Sequence, residues 1–187
     1  MKTLIINNHT KFLKELQSSF PGIVEILNKE DLPEKSDFVD YDLIVLSGGY
    51  EVATVAHHPD QYYKEIELVK TTKIPILGIC LGAEIITHAL GGELEKLDRV
   101  HQGNNKLTII DHSLAVISKS QTIEVFECHQ WGVKTLPNNM ISCAFSDHGP
   151  EIIKHLKRPI IGIQFHPEVT QNQKIFDWII ESLRIKK

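Results

Sequence analysis

The chain is short of most features that would take it outside an ordinary globular fold. It has three cysteines, Cys80, Cys128 and Cys143, an odd number with no C-x-x-C pair. That argues against a disulfide framework or a thiolate zinc site, and it fits a reducing compartment, the cytoplasm. No apolar run approaches the ~18 residues of a bilayer-spanning helix, and the first apolar run, Leu4-Ile5-Ile6, is too brief for a secretory leader. No membrane partner is expected. Positive charge is not in excess either: net charge is -4 and the sequence pI is about 6.2. Scattered lysines form no basic stripe, so nucleic acid is not an expected partner. A phosphate loop of the G-x-x-x-x-G-K-S/T kind is missing, and no metal-ligand cluster stands out. No metal and no other cofactor is therefore expected. Internal repeats, low-complexity tracts and linkers are lacking as well.

What is present is the composition of a globular protein, 42% hydrophobic and 24% charged over 187 residues, enough for one substantial core. Short apolar runs, Leu4–Asn8, Ile23–Leu27, Tyr41–Leu46 and Ile74–Ile79, read as strands. Between them lie helical stretches: one with Phe12, Leu13, Leu16 and Phe20 at spacings of three and four, one over Pro59–Thr71 and one over Leu81–Leu90. Strands alternating with helices imply βαβ units. From Leu107 to Cys143 the runs shorten, as in Leu107–Ile110 and Ile123–Phe126, which suggests antiparallel additions. Ile160–Phe165 reads as one more buried strand, and Asn172–Leu183 as a helix turning Ile175, Phe176, Trp178, Ile179 and Leu183 inward. The expected fold class is α/β, a single domain over residues 1–187. Its central sheet is mostly parallel, covered by helices on both faces, with antiparallel strands added in the C-terminal half.

The most informative stretch is Gly78-Ile79-Cys80-Leu81-Gly82, between a buried strand and a helix. A nucleophile at such a turn projects from the carboxyl edge of the sheet, where ligands bind in α/β folds, and flanking glycines permit a cramped elbow. The helix N-terminus is expected to lower the thiol pKa. Taken alone, the bland alternative is that Cys80 is a small buried hydrophobe, the reading that suits Cys128 and Cys143. A second feature changes the balance. His166 follows the strand ending at Phe165, with Pro167 and Glu168 behind it. If that strand runs parallel to Ile74–Ile79, a base and its orienting carboxylate reach the edge that holds Cys80. Ser47-Gly48-Gly49 ends a third strand there. The N–H groups of Gly49 and Leu81 could then form an oxyanion hole.

Leu46–Gly49, Pro75–Gly82 and Gln164–Glu168 together resemble the class I (triad) glutamine amidotransferases, in family order and across essentially the whole chain. The size and the stand-alone chain look most like the glutaminase part of GMP synthetases. The resemblance implies a Cys80, His166, Glu168 triad that hydrolyses the L-glutamine side-chain amide through a γ-glutamyl thioester. It also implies an oxyanion hole from the Gly49 and Leu81 backbones and a separate synthetase that takes the ammonia. Gly103 and Asn104 fall where relatives hold the substrate's α-carboxylate and α-amino groups. His129 falls where GMP synthetases often carry a histidine loop; a partly buried strand end and a binding role are equally open for it.

Two positions depart from the family. Glu84 replaces the glutamine of G-x-C-x-G-x-Q; one turn after Cys80, it shares a face with the thiol. Ionised, it would attract a substrate ammonium and oppose the thiolate. Tyr50 stands where many relatives have proline. Glu84 keeps two other functions open: a free-standing hydrolase of γ-glutamyl compounds, and a catalytically silent regulatory partner.

Overall fold

In a computed structural model, the described residues are 1–34, 38–49, 54–111, 122–170 and 172–185. Among them, nine strands form one sheet: β1 (Lys2–Asn8), β2 (Ile23–Asn28), β3 (Leu43–Gly49), β4 (Ile76–Ile79), β5 (Glu93–Ile109), β6 (Thr122–Thr135), β7 (Met140–Ser146), β8 (Gly149–His155) and β9 (Ile160–Ile163). The helices are α1 (Leu13–Ser18), α2 (Tyr63–Thr71), α3 (Leu81–Ala89), α4 (Pro167–Thr170) and α5 (Gln173–Ser182).

The sheet order is β2-β1-β3-β4-β9-β8-β7-β5-β6. Its first five strands pair in parallel, and the remaining pairings are antiparallel. The α/β class is as expected, although "mostly parallel" describes one half of the sheet only. The reason is that the later segments are longer strands than their short apolar runs suggest. β5 begins at Glu93 in a stretch that is mostly exposed, and β8 carries Pro150 and Glu151 among its isoleucines.

Strand alternation divides the core between the two faces. Ile5, Leu43, Val45, Leu77, Ile161 and Ile163 pack with Leu16 of α1 and with Ile175, Phe176, Trp178 and Ile179 of α5. Leu4, Ile6, Ile44, Leu46, Ile76 and Ile160 pack with Ile66 and Val69 of α2 and with Ile85 and Ile86 of α3. Helices thus cover both faces of the parallel half, and its central strands can be apolar on both sides.

The chain leaves β1 for β2 on one side and returns to β3 on the other. That reversal makes a switch point at the carboxyl edge between β1 and β3. The β5–β6 ribbon curls back over this edge, so that the His166 N–H donates to Phe126 O at 2.8 Å. Among the described residues, no helix is long and apolar enough to cross a membrane.

Candidate active site

β4 and β9 are adjacent and parallel, with Gly78 opposite Gly162 and Ile79 opposite Ile163. The Cys80 N–H extends this ladder by donating to Ile163 O at 2.7 Å. Cys80 then turns sharply into α3, with φ 51° and ψ -110°. Non-glycine residues avoid positive φ, so the elbow holds its strain at the cysteine itself. The neighbouring glycines serve close approach instead: a Cβ at Gly82 would collide with Leu46 O of β3. A Cβ at Gly48 would come within 2.9 Å of His166 Cε1 and 3.5 Å of Cys80 Cβ. Cys80 and His166 therefore flank one bare stretch of β3 backbone.

His166 is buried, and its Nδ1–H donates to Glu168 Oε1 at 2.8 Å. That bond fixes the tautomer, leaving Nε2 with its lone pair. The Phe12 ring meets the imidazole edge-on at 4.9 Å between centroids and holds the ring plane. Glu168 has no exposed surface and stands behind the histidine, away from the cavity.

A cavity of about 540 Å³ opens over these groups, lined by Cys80, Leu81, Glu84, Gly49 and His166 together with β6 residues. Its size is that of a small-molecule site. Gly49 and Leu81 lie side by side there. Gly103 and Asn104 do not join them: they sit in β5 opposite Glu127 and Phe126, and the far wall comes from Cys128 to Trp131 instead. Tyr50 lies outside the described residues.

The electrostatics reverse one expectation. Burial, then the charge of Glu84, push the Cys80 thiol well above its ordinary pKa, and the Leu81 N–H at the helix start opposes them only in part. Position at a helix N-terminus does not outweigh removal from water. Glu84 itself is raised to about 7 by burial and accepts a hydrogen bond from Gln164 Nε2 at 3.3 Å. The thiol points at Cys128 O, 3.9 Å away.

Sequence reasoning misses several residues around this edge. Asn8 donates through Nδ2 to Glu65 Oε1 at 3.0 Å and to Ser47 O at 3.2 Å, tying β1 to β3 and α2. A second group, Glu127, His129 and Glu151, brings three potential ligand atoms within 4.8 Å of one another, as does His101, Glu127 and His148. The signal for Glu127 and His129 is period two in a strand, which sets them on one face.

A family model described as glutamine amidotransferase class-I matches residues 5–182. A glutamine-hydrolyzing GMP synthase subunit from Methanosphaera stadtmanae is 30% identical over 177 residues, 90% of this chain and 89% of that one. The corresponding protein of Pyrococcus furiosus is 34% identical over 131 residues, 70% of this chain and 68% of the relative. Among solved structures, one described as a putative GMP synthase subunit from Thermoplasma acidophilum is 24% identical. It superposes with a TM-score of 0.84, covering 98% of this chain and 94% of the other.

Proposed function

The chain belongs to the glutamine amidotransferase class-I family, and from that premise we propose that it hydrolyses the side-chain amide of L-glutamine for a separate GMP synthetase-like partner. One observation carries the reading: Cys80 on its positive-φ elbow and the Glu168-oriented His166 flank the same β3 backbone at the floor of the cavity.

Cys80 Sγ attacks the amide carbon as its proton passes to His166 Nε2. The oxyanion forms against the N–H groups of Gly49 and Leu81. His166 returns the proton to the departing nitrogen, releasing ammonia and leaving a γ-glutamyl thioester. Water, deprotonated by His166, then attacks the thioester; glutamate leaves and the thiol is restored. Because the free thiol is held protonated by burial and Glu84, the proton transfer accompanies attack instead of preceding it. In this reading Glu84, buried in the cavity wall, meets the substrate ammonium. A free thiol nucleophile suits a reducing compartment, the cytoplasm.

The test is ammonia and glutamate release from L-glutamine by the chain and by Cys80→Ala, each with and without its synthetase partner. Release that disappears in the variant is expected. Equal release from both proteins, or none from the wild type with the synthetase present, overturns the reading.

A further inference from the structure

The antiparallel half encloses acidic and imidazole groups that glutamine hydrolysis does not use. Glu127 and His129 come from β6, Glu151 from β8 and His101 from β5, where it pairs in register with His129. His148, in the turn before β8, stacks on His101 with 3.6 Å between ring centroids. Glu127, His129 and Glu151 are 2%, 5% and 2% exposed.

Each of these three is held from behind. Asn105 Nδ2 donates to Glu127 Oε1 at 2.9 Å. Ser146 Oγ donates to Glu151 Oε1 at 2.8 Å. His129 Nδ1 lies 2.8 Å from Trp131 O, and since a carbonyl only accepts, Nδ1 carries the proton and Nε2 presents a lone pair. The inner atoms face one another. His129 Nε2 and Glu151 Oε2 are buried without a hydrogen-bond partner, and Glu127 Oε2 is 4.0 Å from His129 Nε2. Outer atoms anchored by the protein and inner atoms left bare is how metal ligands are oriented.

The arrangement leaves the His129 lone pair and the second oxygen of Glu151 bare in a dry interior beside another carboxylate, at a cost. A cation answers all three groups at once. We infer that Glu127, His129 and Glu151 form a binding site for a divalent transition-metal ion such as Zn²⁺, with His101 and His148 beside it to complete the coordination. Imidazole and carboxylate donors favour such an ion over Ca²⁺ or Cu⁺. Metal–ligand bonds of about 2.0–2.2 Å set neighbouring ligands about 3–4 Å apart. The 4.8 Å limit of the cluster thus requires only a small contraction. The ion ties β6 to β8 across the curl and fixes the strand whose Cys128 carbonyl faces Cys80.

The experiment strips the purified chain with chelator, then titrates it with ZnCl₂ by calorimetry and with CoCl₂ by visible absorption. One ion per chain is expected, bound with nitrogen and oxygen ligand-field bands and no thiolate charge-transfer band. Glu151→Gln and Glu127→Gln should each weaken binding by about tenfold or more, while Cys80→Ala leaves it unchanged. Lack of binding by the wild type, a thiolate band, or undiminished affinity in the glutamine variants overturns the site. Should Glu151→Gln fail to fold, Glu127→Gln and the wild-type cobalt spectrum decide. Ion binding is read directly, so its failure is distinct from failure of the glutaminase proposal.

Discussion

The two halves of the sheet solve the same burial problem in opposite ways. In the parallel half, Leu43–Leu46, Ile76–Ile79 and Ile160–Ile163 are buried throughout between helices, and each enclosed leucine or isoleucine contributes about 1.5–3 kcal/mol. In the antiparallel half, the curled β5–β6 ribbon and β8 enclose Glu127, His129 and Glu151 beside Val125 and Ile152. Polar groups there must be satisfied one by one. The comparison separates a stiff platform, which presents Cys80 and His166 at its strand ends, from a wall that closes the cavity and whose internal order depends on polar partners.

The sharpest way to break this division is Cys80→Ala, which should lower glutamine hydrolysis by at least about 10³-fold. The companion measurement is Ile141→Ala, on the exposed side of β7, which should leave the rate within about twofold; comparable losses would dissolve the distinction.

Next comes a buried acid packed on the platform, Glu65, raised to about 7 by burial. The folded chain keeps a proton that the unfolded chain sheds above about 4.5. The stability this represents is present in full below that pH and is lost as pH climbs through 7, by up to about 3 kcal/mol. Glu65→Gln, which can keep the Asn8 hydrogen bond, should be more stable than wild type at pH 8 and equal to it at pH 4. Urea unfolding at both pH values checks this; a gain that is the same at both would remove the titration as its cause.

Glycine substitutions sharpen the contrast further. Gly82→Ala, which drives a Cβ into Leu46 O, should cost about 2 kcal/mol. Gly103→Ala in β5 meets nothing within 4 Å and bears only its positive φ of 125°, a strain of about 1 kcal/mol. Denaturant midpoints for the two variants would rank them. The smallest effect expected is for Glu84→Gln. Removing the charge that holds the Cys80 thiol up should speed its alkylation about threefold at pH 8, and an unchanged rate would mean that Glu84 does not govern the thiol.

The same contrast explains what can be read from the sequence. Ile76–Ile79 and Ile160–Ile163 are unbroken apolar runs because both faces are covered. Their ends, Cys80 and His166, can therefore be set on one edge from the pattern alone. In β5 the stretch Glu93–Gln102 has few buried side chains, so neither hydrophobic run nor clean alternation marks it as a strand. Gly103 and Asn104, expected at the cavity, accordingly pair with β6 instead. The pKa of Cys80 departs from expectation for a related reason: the helix start is visible in the sequence, but the depth of burial is not. Glu127, His129 and Glu151 do not stand out as a group because they meet only when β6 curls over β8.

The Cys80 N–H to Ile163 O bond has a consequence in time. β9 comes after the other strands in sequence, yet it lies between β4 and β8 and joins the two halves of the sheet. A chain emerging from the ribosome, N-terminal segments first, presents the elbow cysteine while the histidine is still unmade. It can complete neither its sheet nor the Cys80–His166 edge until that final strand is inserted between its neighbours. On the proposed chemistry, a molecule unfinished or clipped before His166 is inert, and ammonia is released only once β9 is in its place.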